Sequence, residues 1–237
     1  MNRLLQGDVG SGKTIIAFMT ILIALDNGYQ ACLMAPTEIL SVQHYNGLSE
    51  LCNELNISIK ILTGSSKASE RKKIHESLEN GELDILIGTH ALLENKVKFK
   101  NLGLAIIDEQ HRFGVAQRSK LWHKNTSPPH VLVMTATPIP RTLAMTFYGD
   151  LDVSVIDELP AGRSPVNTVA IVDQRRAEVI ARIREACQQG QQAYWVCTLI
   201  EESETLEAQA AEVTAEELGL LLPELKIGLV HGRMKPA

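Results

Sequence analysis

Eight residues near the start, Gly7-Asp8-Val9-Gly10-Ser11-Gly12-Lys13-Thr14, restrict the architecture more than any other stretch of the chain. They fit G-x-x-x-x-G-K-[ST], follow a short apolar run at 4–6 and lead into the apolar run 15–25. That context is a strand, a glycine-rich turn and the opening of a helix. Glycines let successive backbone N–H groups turn inward, and the positive end of the helix dipole points at whatever lies in the turn, so the loop suits a phosphate chain. Lys13 is placed to reach β- and γ-phosphates, and Thr14 to offer its hydroxyl to magnesium. Residues 7–14 are therefore the expected nucleotide cradle, with ATP and Mg2+ as the expected ligands. A dinucleotide fingerprint does not fit, because Gly10-Ser11-Gly12 is followed by Lys-Thr-Ile and not by a third glycine two residues on. A serine nucleophile elbow fails too, since Val9 stands where Gly would precede Ser11 by two.

From this loop onward, short runs rich in Val, Ile and Leu alternate with longer amphipathic segments, the pattern of an α/β protein with a mainly parallel sheet. Expected strands are 4–6, 30–35, 57–62, 84–88, 104–108 and 131–135, and expected helices 13–26, 38–55, 69–79, 115–122 and 140–148. Asn27-Gly28 and Asn80-Gly81 are helix stops, since Gly accepts the left-handed cap conformation. A Pro- and Gly-rich stretch at 158–165 marks a hinge after a first domain of residues 1–157. A second unit, 166–237, reads as strands at 166–172, 192–196 and 227–230 with helices at 175–188 and 203–218. Three strands fall short of the roughly five or six of a typical sheet, so this unit is expected to be incomplete and the chain a fragment.

The run Leu104-Ala105-Ile106-Ile107 ends at Asp108-Glu109, so a strand delivers two carboxylates to the edge where α/β proteins bind ligands. Acids often end strands, and the pair gains meaning only beside the phosphate loop. Together they predict Asp108 as a magnesium ligand and Glu109 as the group that orients and polarises the attacking water.

Charge limits the partners. A formal net charge of -5 argues against holding nucleic acid on a broad basic surface, so any such groove is local. Residues 94–124 carry seven Lys or Arg against three acids, whereas 201–217 carry seven acids and no base, a solvated helix face. No apolar run approaches the roughly 20 residues needed to cross a bilayer, and the start has no secretion signal. A cytoplasmic protein is expected. Cys32, Cys52, Cys187 and Cys197 are scattered without Cys-x-x-Cys spacing and read as reduced thiols, with no structural metal.

Asp108-Glu109-Gln110-His111 also resembles the acidic box of the superfamily 2 helicases and translocases. Ala35-Pro36-Thr37-Glu38 looks like that family's first nucleic-acid-contacting segment, Gly88-Thr89-His90-Ala91-Leu92 like its second, and Thr135-Ala136-Thr137-Pro138 like its coupling segment, in the family's order. The resemblance implies a RecA-like lobe followed by an incomplete second one. It implies DNA contacts at Thr37, Thr89 and His90, and coupling of the ATP site to DNA through Gln110, His111, Thr135 and Thr137. Within the family, the segments 108–118, 134–144 and 194–204, together with His231-Gly-Arg-Met-Lys-Pro236, are similar to the helicases that remodel branched DNA, although Arg112-Phe-Gly-Val115 and Thr135-Ala-Thr-Pro-Ile-Pro-Arg-Thr-Leu143 are shared with the transcription-repair coupling translocases. Transcription-repair coupling translocases are the alternative, but they usually carry Glu where Gln110 stands. The resemblance thus implies a DNA-dependent ATPase acting on branched or duplex DNA in repair and recombination. Family parts expected before Met1 and after Ala237, among them the arginine-bearing segment that completes the ATP site, are not in the sequence, so the isolated chain is expected to bind nucleotide weakly and turn it over poorly.

Other residues receive plainer readings. Arg112, Arg118 and Arg141 could touch the γ-phosphate or DNA, or pair with nearby acids. Gln43, His44, His75, His123 and His130 are expected on the surface, and Phe113, Trp122 and Trp195 in packing roles.

Overall fold

The expected apolar runs of the first domain become neighbouring strands of one sheet, because each is short, aliphatic and bounded by turn residues. The computed structural model describes residues 1–109, 128–137, 151–158, 160, 162–164, 166–197, 204–231 and 234, with backbone alone for 204–209. The expected helices at 115–122 and 140–148 lie outside the described residues. Contacts divide the chain into two compact units, Met1–Ser164 and Pro165–Ala237.

In the first unit the order is β1 (Asn2–Gly7), α1 (Lys13–Asp26), β2 (Gln30–Met34), α2 (Glu38–Glu54), β3 (Ile59–Leu62), α3 (Ala68–Asn80), β4 (Ile85–Gly88), a 3-10 turn (His90–Leu93), β5 (Leu102–Asp108), β6 (His130–Thr135) and β7 (Asp152–Ile156). The sheet runs β3-β4-β2-β5-β6-β1-β7, and all six pairings are parallel. It is the α/β, RecA-like lobe expected from the sequence. Helices stop where glycine permits: Gly28 and Gly81 follow α1 and α3 with φ of 77° and 80°.

Side chains alternate between two apolar layers, as the period of two along a strand requires. Ala31 and Leu33 of β2, Ile85 and Ile87 of β4, and Leu104 and Ile106 of β5 face α1 and α2 through Ala17, Phe18, Ile21, Leu48 and Cys52. Cys32 and Met34, Leu86, and Ala105 and Ile107 face the opposite way, toward Ile74 and Leu78 of α3 and toward Leu92, Val97 and Phe99. Every residue of β2 and β4 is buried, so these central strands carry no polar alternation. The one polar side chain among them, Gln30, donates to the carbonyls of Leu78 and Leu83 and accepts from the Asn101 N–H, which satisfies the amide within the core.

Three expectations are corrected. First, β7 was not expected. It is a half-exposed edge strand whose Asp152 and Ser154 alternate with valines, and it is held by its ladder to β1 and by Arg3, which reaches the Ser154 hydroxyl at 2.7 Å. Second, His75 is half-buried with its Nε2 enclosed, and not simply a surface residue. Third, the second unit contains α4 (Arg176–Gln188) and α5 (Glu204–Leu221), but its expected strands 166–172, 192–196 and 227–230 are extended without a ladder. A strand exists only where a neighbour pairs its backbone, and 166–172 is solvent-exposed throughout. A small core of Ile180, Leu218 and Leu222 joins the two helices, with Arg176 stacked 5.0 Å over the Trp195 ring.

None of the four cysteines is in a disulfide, Cys32 and Cys52 being buried and Cys187 and Cys197 half-buried. Burial pushes the Cys52 thiol up to about 11. Among the described residues no helix is long and apolar enough to cross a membrane.

Two glycines give opposite tests of this packing. A Cβ on Gly88 would lie 2.1 Å from the Leu62 carbonyl oxygen of the neighbouring strand, whereas one on Gly47, within α2, meets nothing within 4 Å. In urea unfolding, Gly88→Ala should cost several kcal/mol or prevent folding, whereas Gly47→Ala should add roughly 0.5–1 kcal/mol.

Candidate active site at the carboxyl edge of the sheet

Parallel register brings the sequence motifs together. Asp108 at the end of β5 is level with Met134 of β6, and Thr135 is level with Gln6 of β1, one residue before the glycine-rich loop. Adjacent strands lie about 4.8 Å apart, so the ends of β5 and β1, with β6 between, stand roughly 10 Å apart. The phosphate loop, the acidic pair and the Thr135–Thr137 segment therefore emerge side by side at one edge.

The loop has the expected form. Gly10 and Gly12 take φ of 81° and 91°, values that L side chains rarely adopt, and Gly12 caps α1. The Lys13 ammonium donates to the carbonyls of Gly7 and Asp8, each at 2.8 Å, which leaves its third proton available to an anion. The Ser11 hydroxyl is enclosed without a partner among the described residues, and a Cβ on Gly7 would come within 2.6 Å of it. An orphaned donor, a spare ammonium proton and a helix N-terminus together fit a phosphate chain. Thr14 is exposed at the first turn of α1. Asp8 is occupied locally, accepting from the Val9 N–H at 2.7 Å and pairing with Arg163 at 2.9 Å, and Arg163 also donates to the Val9 carbonyl. Arg163 belongs to the expected hinge and was not among the expected site residues.

Asp108 is 8% exposed, and its Oδ2 lies 2.7 Å from His44 Nε2. This corrects the surface reading of His44. The sequence did carry a signal: Ser41, His44, Leu48 and Cys52 are spaced by three, four and four residues along the stripe of α2 that faces the sheet. Glu109 adopts φ of 50°, an uncommon conformation for a residue with a Cβ, costing about 1–2 kcal/mol. Its N–H donates to the Met134 carbonyl, and its Oε1 accepts from the Ala136 N–H at 3.2 Å. The acidic pair and the Thr135–Thr137 segment are thus tied directly, through Glu109. Thr135 is buried, and its hydroxyl accepts from the Thr137 N–H. Gln110, His111, Arg112, Arg118 and Arg141 lie outside the described residues.

Of the expected DNA contacts, Thr37 is the N-cap of α2, its oxygen accepting from Leu40 N–H at 3.3 Å, which leaves the hydroxyl proton to donate elsewhere. His90 is exposed at the start of the 3-10 turn. Thr89 is 3% exposed and its hydroxyl has no partner among the described residues. A loop at Thr63–Ser66 joins the same edge: Glu38 accepts from the Ser65 N–H and hydroxyl, and Arg71 donates to the Thr63 and Ser66 carbonyls.

The model for DEAD/DEAH box helicases matches residues 1–146. The chain is 58% identical over 241 residues to "ATP-dependent DNA helicase RecG" of Escherichia coli O157:H7, covering 100% of this chain and 35% of that protein. It is 50% identical over 235 residues to the protein of the same name from Aquifex aeolicus (strain VF5), covering 99% and 30%. The chain thus spans about a third of the length of these relatives. Among solved structures, "Structure of RecG bound to three-way DNA junction" matches with a TM-score of 0.75 and 44% identity over 93% of this chain and 28% of that one. The DUF1998 helicase MrfA bound to DNA and AMPPNP, at TM-score 0.62 and 21% identity over 92% and 34%, shares the fold.

The Ser65 N–H holds the Glu38 carboxyl below its ordinary range, with the Ser65 hydroxyl contributing less. The stability from this contact is present above the unfolded carboxylate pKa and is lost as pH falls through the lowered folded value. By NMR titration Glu38 should have a lower midpoint than an unpaired glutamate, and Ser65→Ala should raise it only part of the way, since the backbone donor remains.

Proposed function

Because the chain belongs to the DEAD/DEAH box helicase family, we propose that it is the nucleotide-hydrolysing part of a DNA motor that remodels branched DNA, such as stalled forks and Holliday junctions, in repair and recombination. The observation that carries this reading is the arrival of the phosphate loop, Asp108-Glu109 and Thr135–Thr137 at one edge on β1, β5 and β6. The identity to helicases named RecG favours branched DNA over a transcription-repair coupling role. In this proposal residues 1–157 are the ATP-binding lobe, 158–165 the hinge and 166–237 the start of a second lobe, all acting in the cytoplasm.

Each residue has a task that phosphoryl transfer requires, chiefly positioning and charge stabilisation. The N–H groups of residues 7–14 cradle the phosphates of ATP, and Lys13 turns its ammonium from the Gly7 and Asp8 carbonyls to the β- and γ-phosphates. Thr14 and Asp108 would hold magnesium, which when bound would supply neutralising charge at the phosphates, and their oxygen donors suit a hard cation. Glu109 orients the attacking water from a backbone position that its contact to Ala136 stabilises. That contact lets the acidic pair and the Thr135–Thr137 segment move together, with Gln110 and His111 continuing the coupling path. Thr37 and His90 grip DNA phosphates at the same edge, which positions DNA without reading its sequence.

The test is ATP hydrolysis by the purified chain with magnesium, with and without forked DNA, using Lys13→Ala as the blank. Weak turnover that still exceeds the Lys13→Ala blank is expected of the isolated chain. Removing a charge-assisted bond costs about 1.5–3 kcal/mol, so Lys13→Ala should also weaken nucleotide binding by about tenfold or more. Nucleotide binding and turnover equal in the two proteins would overturn the assignment.

A further inference from the structure

The contact between His44 and Asp108 has no place in the roles above, yet it joins two of the segments they use. His44 lies in the second turn of α2, the helix capped by Thr37, and Asp108 ends β5, the neighbour of β2 in the sheet. The side chains are 11% and 12% exposed, and the nitrogen–oxygen distance is 2.7 Å. Ser41, one turn before His44 and fully buried, donates its hydroxyl back to the Thr37 carbonyl at 3.0 Å, bracing the same first turn. Three consecutive features of α2 thus run from its exposed N-terminus to the carboxylate: the Thr37 cap, the Ser41 brace and the His44 ring.

A carboxylate that meets a hard cation must hold one rotamer, because magnesium demands near-ideal octahedral geometry. Asp108 has little help in doing so from the residues before it on its own strand, Ile106 and Ile107, which are apolar. A buried imidazole nitrogen on Oδ2 supplies that restraint. A side chain that hydrogen-bonds a ligating carboxylate from outside typically matters about 10–100-fold in metal affinity.

We propose that His44 is a positioning residue for Asp108, and that it couples DNA held at the N-terminus of α2 to the magnesium–nucleotide site. The inference rests on the function proposed above. Because coupling between two ligands is reciprocal, DNA should tighten nucleotide in the presence of magnesium by the same factor that nucleotide tightens DNA, and His44 should be needed for that factor.

The experiment is a binding cycle that does not depend on turnover. A fluorescent ADP analogue is titrated into the purified chain in magnesium and in EDTA, each with and without forked DNA, for wild type, His44→Ala and His44→Gln. Gln retains an N–H donor near the position of Nε2. Thermal unfolding and circular dichroism identify folded variants, and His44→Gln serves alone if His44→Ala does not fold. In His44→Ala, affinity in magnesium should fall about tenfold or more, affinity in EDTA should stay within about twofold, and the DNA-dependent factor should approach one. His44→Gln should restore most of both. Equal loss in magnesium and EDTA, or an unchanged DNA factor, would overturn the role of His44 while leaving the functional reading intact. Wild-type protein with no magnesium-dependent nucleotide binding would overturn both.

Discussion

Everything at the candidate site depends on the parallel register of β5, β6 and β1. Parallel strands put all their carboxyl ends on one side, and the pairings Asp108↔Met134 and Gln6↔Thr135 place a carboxylate pair, a threonine segment and a glycine loop within two strand spacings. The register is fixed in turn by burial on both faces. Sliding β5 by one residue would exchange Ala105 and Ile107 with Leu104 and Ile106 between two differently shaped cores, and would turn Asp108 to the other side. The chemistry is thus placed by apolar packing some distance below it.

Local departures from ideal geometry then adapt this edge to its task. Positive φ at Gly10 and Gly12 costs little and turns N–H groups inward. At Glu109 the same conformation is costly, yet it directs the backbone N–H to the Met134 carbonyl and the carboxylate to the Ala136 N–H, both on the continuation of β6. Glycine there would relieve the strain but remove the carboxylate that phosphoryl transfer needs. The strained backbone is what separates the two acids: the Asp108 carboxylate meets His44 of α2, and that of Glu109 meets the neighbouring segment at Ala136.

Much of this was legible in the sequence, for identifiable reasons. The glycine loop and the Asp-Glu strand end are local patterns, and α1 begins and ends where the capping glycines and the apolar period place it. What depended on tertiary pairing was missed. β7 is a polar-alternating edge strand that the Arg3 contact and one ladder stabilise, and neither partner is near it in sequence. His44 read as surface because a single histidine in an amphipathic helix is neutral to periodicity until its neighbours Ser41 and Leu48 are known to be buried. Thr89 followed a strand as an exposed contact residue would, but it is buried at the start of the turn His90–Leu93. In the second unit the apolar runs have strand composition without strand neighbours, and composition alone cannot supply a ladder.

A modest acidic net charge is compatible with a motor that must release DNA in every cycle. Charge-driven binding through many phosphates would be tight and sequence-independent, whereas the grip proposed above uses a few donors at one edge, Thr37 and His90. Such a grip can be switched by small displacements of the helix ends that bear it. α2 is braced for that purpose at both ends of its first two turns, by Glu38 on the Thr63–Ser66 loop and by His44 on Asp108. A helix held at one end to a loop at the sheet edge and at the other to a carboxylate of the nucleotide site moves as a rigid body, so a shift at either contact is felt at the other.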